Sequence, residues 1–348
     1  MMIYYAYLSN KIQEGGMARN KAFYDYFLNK ATVINQFSKF KLSRIFKTFR
    51  TLVHWLFLKN QKILIHQGTF LYMFPELILR FSFFKIFFFK VLSNLAKKNF
   101  VYLEINDLRY EQAYDLELDT NKQLLLNIQL AFFAIDELHY IFASEGLMDY
   151  AVKHYQVKAE LCQVAVNGGL PLNSESDDKE WTTGRIKFVY AGSLNKGRQI
   201  ELLIDKFRDS LNCDLVLMGD GGDWIDPYIK NMDNIKYLGN FEEHEAQKLV
   251  ARCDIGIIPY DPGRLYYNIC YPTKASFYIT SGLGILSTPL KTLENMFSGN
   301  EFIEFKGYEE WGTFLKSINN HHISVMKKSA NNYKEKLFWD NILRQIKF

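Results

Sequence analysis

Residues 188–207 read FVYAGSLNKGRQIELLIDKF. An apolar run ends at Gly192, a short polar turn carries Ser193, Lys196, Gly197 and Arg198, and a helical pattern follows over about 197–210. This is a strand–turn–helix step of an α/β protein. The turn gathers backbone N–H groups, two cations and the positive end of a helix, which suits an anion and above all a phosphate. A plain βα turn with solvated Lys and Arg would read the same way.

The alternation continues in both directions. Downstream come the strand-like runs CDLVLMG, IKYLG, DIGIIPY, GILST and EFIEF, separated by helical segments, and helices from about 309 to 348. Upstream, the runs MIYYAYL, ATVINQF, KILIHQG, FVYLEIN, YIFAS and CQVAVNG alternate with helices, among them a basic amphipathic one near 41–58 and a Phe-rich one over 74–97. Residues 168–184, GGLPLNSESDDKEWTTG, break the pattern with the Gly, Ser, Asp and Thr of a linker. The expected organisation is a first domain over 1–168, a linker over 169–184, a second domain over 185–330 and a C-terminal helix over 331–348 that returns toward the first domain. Both domains are α/β with parallel sheets. Ligands of such sheets bind beyond the carboxyl ends of the strands, so a ligand is expected in a cleft between the two.

Length and composition agree. The chain has 348 residues, 48% hydrophobic and 23% charged, which excludes a disordered chain. The net charge of +4 conceals an asymmetry: residues 1–100 hold 16 Lys and Arg against 3 Asp and Glu, while the remainder is acidic. A basic N-terminal half points to an anionic surface or ligand there. No motif of nucleic-acid recognition accompanies the charge, so nucleic acid is not expected as a partner. Cys162, Cys213, Cys253 and Cys270 follow no metal-ligand spacing, and MMIYYAYLSNK is not a secretory leader. The expectation is a cytoplasmic protein with reduced thiols and no bound metal.

Two further segments carry chemistry. In LVLMGDGGD, residues 215–223, a strand ends in glycines, Gly219 first, that permit a close backbone approach or simply a turn. In YYNICYPTKASFYITSG, residues 266–282, Pro272 opens a helix whose Lys274 and Tyr278, four apart, share a face. A Lys at the positive end of a helix is unfavourable unless an anion offsets it or solvent takes it up.

Together these segments resemble the donor-binding half of GT-B glycosyltransferases, particularly family 4 and the bacterial surface-polysaccharide enzymes, in which a GxLxxxKG turn precedes a PxKxxxYxxxG helix. Gly192, Leu194, Lys196 and Gly197 follow the first pattern with two residues fewer between Leu and Lys, and Arg198 stands beside them; Pro272, Lys274, Tyr278 and Gly282 follow the second in full, and a closing helix comes at Trp339. The likeness covers about 185–345 well and the first half loosely. It implies two Rossmann-like domains and transfer of a sugar from a nucleotide diphosphate, a UDP-sugar by preference, without a metal or other cofactor. It also implies a donor pocket of Gly192, Ser193, Lys196, Arg198, Gly219, Lys274, Ser276 and Tyr278, with Gly15 and Gly16 in a loop that reaches toward the phosphates. Ser193 stands where many members have Arg, and Phe277 where many have Glu, so the sugar and the stereochemical outcome stay open.

Asp107, with Glu111 as second choice, lies just beyond strand FVYLEIN and is the candidate general base for an acceptor hydroxyl, although Asp also caps turns. Lys41, Arg44, Lys47 and Arg50, and further on Arg80, Lys85 and Lys90, interleave with Phe, Leu and Ile. This is the pattern of an interfacial helix facing an anionic membrane, or of Phe residues in a core with solvated cations around them. The expected function is glycosyl transfer to a lipid-linked, lipid-pyrophosphate-linked or growing cell-surface glycan by a peripheral protein on the inner face of the cell membrane. A nucleotide-sugar epimerase of the same architecture and an inactive membrane-bound scaffold are the alternatives.

Overall fold

The computed structural model describes residues 2–9, 15–172, 184–195 and 198–348. The chain divides into two compact units, Met1–Val166 with Leu343–Phe348, and Asn167–Ile342.

The first unit contains β1 (Met2–Ala6), α1 (Gly15–Phe27), β2 (Thr32–Asn35), α2 (Lys41–Phe57), β3 (Lys62–His66), α3 (Gln67–Met73), α4 (Glu76–Leu79), α5 (Ser82–Ala96), β4 (Phe100–Ile105), α6 (Arg109–Asp115), α7 (Lys122–Phe133), β5 (Leu138–Phe142), α8 (Glu145–Tyr155) and β6 (Cys162–Val164). Its sheet is parallel, in the order β2-β1-β3-β4-β5-β6. The central strands are buried along nearly their whole length, as strands covered on both faces must be. The Phe-rich segment differs from the single helix expected. Pro75 opens the short α4, and the extended backbone at Phe81 separates it from α5. Aromatic residues lose side-chain freedom in a helix, so a run of them gives little resistance to such a break.

A charged cluster is sealed inside this unit. Arg19 Nε donates to Glu104 Oε1 at 2.6 Å and its Nη1 to the Ala165 carbonyl at 2.8 Å, while His66 Nδ1 lies 2.6 Å from Glu104 Oε2 and His66 Nε2 lies 2.6 Å from the Tyr4 hydroxyl. All four side chains are buried. The cluster ties α1 to β1, β3 and β4. Burial by itself would raise the Glu104 pKa, but the charges and hydrogen bonds of Arg19 and His66 overcome it and hold the carboxyl down at about 2.

The second unit contains β7 (Ile186–Ala191), α9 (Ile200–Arg208), β8 (Cys213–Met218), α10 (Ile225–Ile229), β9 (Ile235–Tyr237), α11 (Glu243–Val250), β10 (Ile255–Ile258), α12 (Leu265–Ile269), α13 (Thr273–Thr280), β11 (Gly284–Ser287), α14 (Lys291–Phe297), β12 (Ile303–Phe305), α15 (Tyr308–Ser317) and α16 (Asn320–Tyr333), and α17 (Trp339–Arg344) starts in it and ends in the first unit. Its parallel sheet has the order β12-β11-β10-β7-β8-β9. One buried cluster joins Phe188, Tyr190, Leu203, Phe207, Leu215 and Trp311 on one side of it. The alternation of strands and helices expected from the sequence is present in both units. The linker expected at 169–184 falls largely on residues outside those described.

Replacing Glu104 by Ala leaves the Arg19 charge buried without its carboxylate, and the expected loss in unfolding free energy is about 3–5 kcal/mol, read from urea titration. A folded-state pKa below that of the unfolded chain stabilises above the ordinary glutamate value of 4.5 and loses that contribution as the pH falls toward about 2. The difference in melting temperature between wild type and Glu104→Ala is therefore expected to be full at neutral pH and to shrink through that acid window.

Candidate functional site

In the order of the second sheet, the chain leaves β7 toward β8 on one side and later returns to pair β10 on the other. Such a reversal opens a crevice at the carboxyl ends of the two strands. Here β7 and β10 pair through Phe188 with Ile255 and Val189 with Gly256. Where they diverge, the Tyr278 hydroxyl takes over: it accepts from the Ala191 N–H at 2.9 Å and donates to the Ile257 carbonyl at 3.3 Å. Gly256 makes room for the Tyr278 ring, since a Cβ there would fall 2.2 Å from it.

Two glycines shape the floor. Gly192 follows β7 with φ +140° and Gly219 follows β8 with φ +137°, both in the region that glycine alone adopts without strain. A Cβ on Gly219 would stand 1.9 Å from the Gly192 carbonyl oxygen, and one on Gly192 would stand 2.5 Å from Lys274 Nζ. The lysine head thus lies directly over the bare backbone at the strand end.

Two cations meet there. Lys274 Nζ donates to the Tyr260 hydroxyl at 3.1 Å and lies 4.9 Å from the Tyr190 ring. The Arg198 guanidinium lies 5.9 Å from the same Tyr260 ring and donates to the Tyr267 hydroxyl at 3.3 Å. Tyr260 and Tyr267 stack at 4.5 Å. Burial opposes the charge on both cations, but the surrounding tyrosines raise both pKa values above the ordinary ones, so both groups are charged at neutral pH. Among the described residues no carboxylate pairs with either. Aromatic faces and hydroxyls accept a cation without cancelling it, which leaves the charge available to an anion such as a diphosphate.

The structure thus brings Gly192, Arg198, Gly219 and Lys274 together and adds Tyr190, Tyr260 and Tyr267, which the sequence reading passed over. Their signal was available: Tyr260 closes the apolar run DIGIIPY, just beyond the carboxyl end of β10. Ser193 sits in the turn after Gly192, with its hydroxyl accepting from Asn195 at 2.8 Å. Lys196 lies outside the described residues.

Other candidates are placed differently from expectation. Ser276 and Tyr278 are buried, and their hydroxyls are engaged within the protein, that of Ser276 with the Asn167 carbonyl and Tyr271. Gly15 and Gly16 are the first residues of α1, not a loop; first-turn amides need no helical partner, so glycine is tolerated there. Glu111 is buried on α6, with Gln129 and the Tyr155 hydroxyl donating to its two oxygens. These bonds join α6 to α7 and α8. Asp107 follows β4, outside the buried set, with Oδ2 accepting from the Asn106 amide at 2.7 Å. Of the basic residues on α2 and beyond, Lys41, Arg50, Arg80 and Lys90 are exposed and Lys85 is half-buried. Arg44 and Lys47 turn inward, Arg44 to the Tyr72 carbonyl and ring and Lys47 to the carbonyls of Asn35 and Phe37.

No family model and no curated protein sequence matches the chain. Solved structures do match. WaaG, a glycosyltransferase involved in lipopolysaccharide biosynthesis, superposes with a TM-score of 0.65 at 10% identity over 99% of this chain and 98% of its own. Sucrose-phosphate synthase from Thermosynechococcus elongatus gives 0.66 at 10% over 99% and 96%. HepE from Anabaena, solved in complex with UDP, gives 0.61 at 12% over 99% and 98%. With its two six-stranded parallel sheets, the chain has the fold of the GT-B glycosyltransferases, built from two Rossmann-like α/β domains.

Proposed function

We propose that the protein is a glycosyltransferase that moves a sugar from a nucleotide-diphosphate donor, a UDP-sugar by preference, to a glycan or lipid-pyrophosphate-linked acceptor at an anionic membrane surface on the cytoplasmic side. The observation that carries this reading is the pair Lys274 and Arg198, both charged and without a carboxylate partner among the described residues, meeting on Tyr260, with the Lys274 head over the bare backbone of Gly192. The UDP complex of HepE and the lipopolysaccharide role of WaaG, proteins of the same fold, support it. The basic surface of the first unit supports the membrane location.

In the proposed reaction the bond between the anomeric carbon and the phosphate oxygen breaks, and the acceptor hydroxyl oxygen bonds to that carbon. Negative charge gathers on the departing diphosphate. Fixed cations in a partly dry site stabilise such developing charge more than water does. We assign this task to Lys274 and Arg198, with no cofactor, and assign the acceptor proton to Asp107, at the carboxyl end of β4.

Lys274→Ala is expected to weaken UDP binding by about tenfold or more, the worth of a charge-assisted hydrogen bond; calorimetry that finds unchanged affinity overturns the assignment. Asp107→Asn is expected to keep UDP affinity while kcat falls by about 10²–10⁴, measured on the donor–acceptor pair that supports turnover in a screen. An unchanged kcat removes Asp107 from the reaction.

A further inference from the structure

The outer surface of α2 is built the wrong way round for a helix that faces water. Its inward side buries Thr51 and Trp55. On the opposite side Leu42, Ile45, Phe46, Phe49, Val53, Leu56 and Phe57 form one stripe, at spacings of three and four, and are 38% to 82% exposed. A solvated helix puts its polar side there. The stripe has company: α5 packs against α2, and Phe83, Ile86 and Phe87 on its first half are exposed, as is Leu77 on α4. Single exposed apolar residues are ordinary, but a run across neighbouring helices marks an interaction surface.

Charge indicates what covers it. Between residues 39 and 98 there are twelve Lys and Arg and one acidic residue, Glu76, and Glu76 is paired with Arg109 at 2.6 Å. A second copy of this chain would set one strongly positive face against another. An anionic lipid surface offers both hydrocarbon for the stripe and negative headgroups for Lys41, Arg50, Arg80 and Lys90 at its margins. Among the described residues no helix is long and apolar enough to cross a membrane. The 17 residues of α2 span about 25 Å, a length that suits a helix lying in the plane of the interface.

Resting on the membrane reading above, we infer that α2 and the first half of α5 are inserted into one leaflet with Phe46, Phe49 and Phe83 below the headgroups, so that apolar burial, not charge, holds the protein there. Two of the four cations of α2, Arg44 and Lys47, are already spent on the carbonyls of Tyr72, Asn35 and Phe37 and are lost to the headgroups. The exposed cations steer the approach and are screened by salt; transfer of Phe rings out of water is not weakened by salt in this way.

The test uses the full chain and vesicles of phosphatidylcholine alone or mixed with phosphatidylglycerol. Wild type is expected to float with the mixed vesicles at low salt and to stay bound at roughly 1 M salt, where the Debye length is about 3 Å. Phe46→Ser with Phe49→Ser is expected to lower partitioning at high salt by at least about tenfold, with circular dichroism and melting unchanged. In a Phe46→Trp variant the emission of the added indole should shift to the blue on binding and be quenched by lipids brominated along the acyl chain. Release of wild type by salt, failure of brominated lipid to quench the Phe46→Trp variant, or full retention of the double Phe variant overturns insertion while leaving a purely electrostatic membrane contact standing. Absence of flotation at every salt overturns both, and so does a dimer without lipid that the double Phe variant dissolves. The glycosyl-transfer reading fails separately, through absent UDP binding.

Discussion

A parallel sheet whose strand order reverses has to splay neighbouring strands, and the gap collapses unless something holds it. In this protein that task falls to one hydroxyl. Tyr278 reaches from α13 between β7 and β10, takes the N–H of Ala191 and gives its proton to Ile257, and so satisfies both strands where the ladder between them stops. Buried backbone groups tolerate no vacancy, and the hydroxyl fills the two left by the divergence. The rest of the site follows. Gly256 has no side chain because the ring needs the space, Gly192 has none because the lysine head lies on it, and Gly219 has none because the Gly192 carbonyl passes so close.

The two units use buried cations in opposite ways. In the first, Arg19 is neutralised by Glu104 in a closed cluster, and the pair ties α1 to β4 and to the Ala165 carbonyl. In the second, Arg198 and Lys274 are surrounded by Tyr190, Tyr260 and Tyr267, whose rings and hydroxyls accept the cations without cancelling them. Substituting carboxylates for these tyrosines would give a more self-sufficient site with nothing left to offer an anion. The difference between a structural cation and a binding one lies in the partner, not in the cation.

This explains how much of the molecule was legible from the sequence. Alternating apolar runs and helical segments declared two parallel-sheet units because periodicity is local. The pair Lys274 and Tyr278 was visible as a shared helix face. What the spacing did not say is that the face is divided, with the Lys head over Gly192 and the Tyr hydroxyl between β7 and β10. That depends on β7 and β10, which the chain brings to either side of the ring only in space. Glu111 is a candidate base by its place after a strand end; its neutral partners, Gln129 and Tyr155, 18 and 44 residues away on other helices, are brought to it only by the fold. The stripe on α2 was read as amphipathic, yet the sequence alone left open which side faced the core. Thr51 and Trp55 decide that, and they are a minority on their helix.

The segment Leu343–Phe348 belongs to the first unit although the whole of the second precedes it in the chain. Phe348 packs its ring against Phe27 and Tyr102, its carbonyl accepts from Lys62, and the Gln163 side-chain amide donates to the Lys347 carbonyl and accepts from the Lys347 N–H. Synthesis proceeds from the N-terminus, and domains generally fold in the order in which they emerge. Here that order is broken. The first unit waits with Phe27 and Tyr102 uncovered until everything through residue 342 has left the ribosome, so the unit made first is the last to be finished.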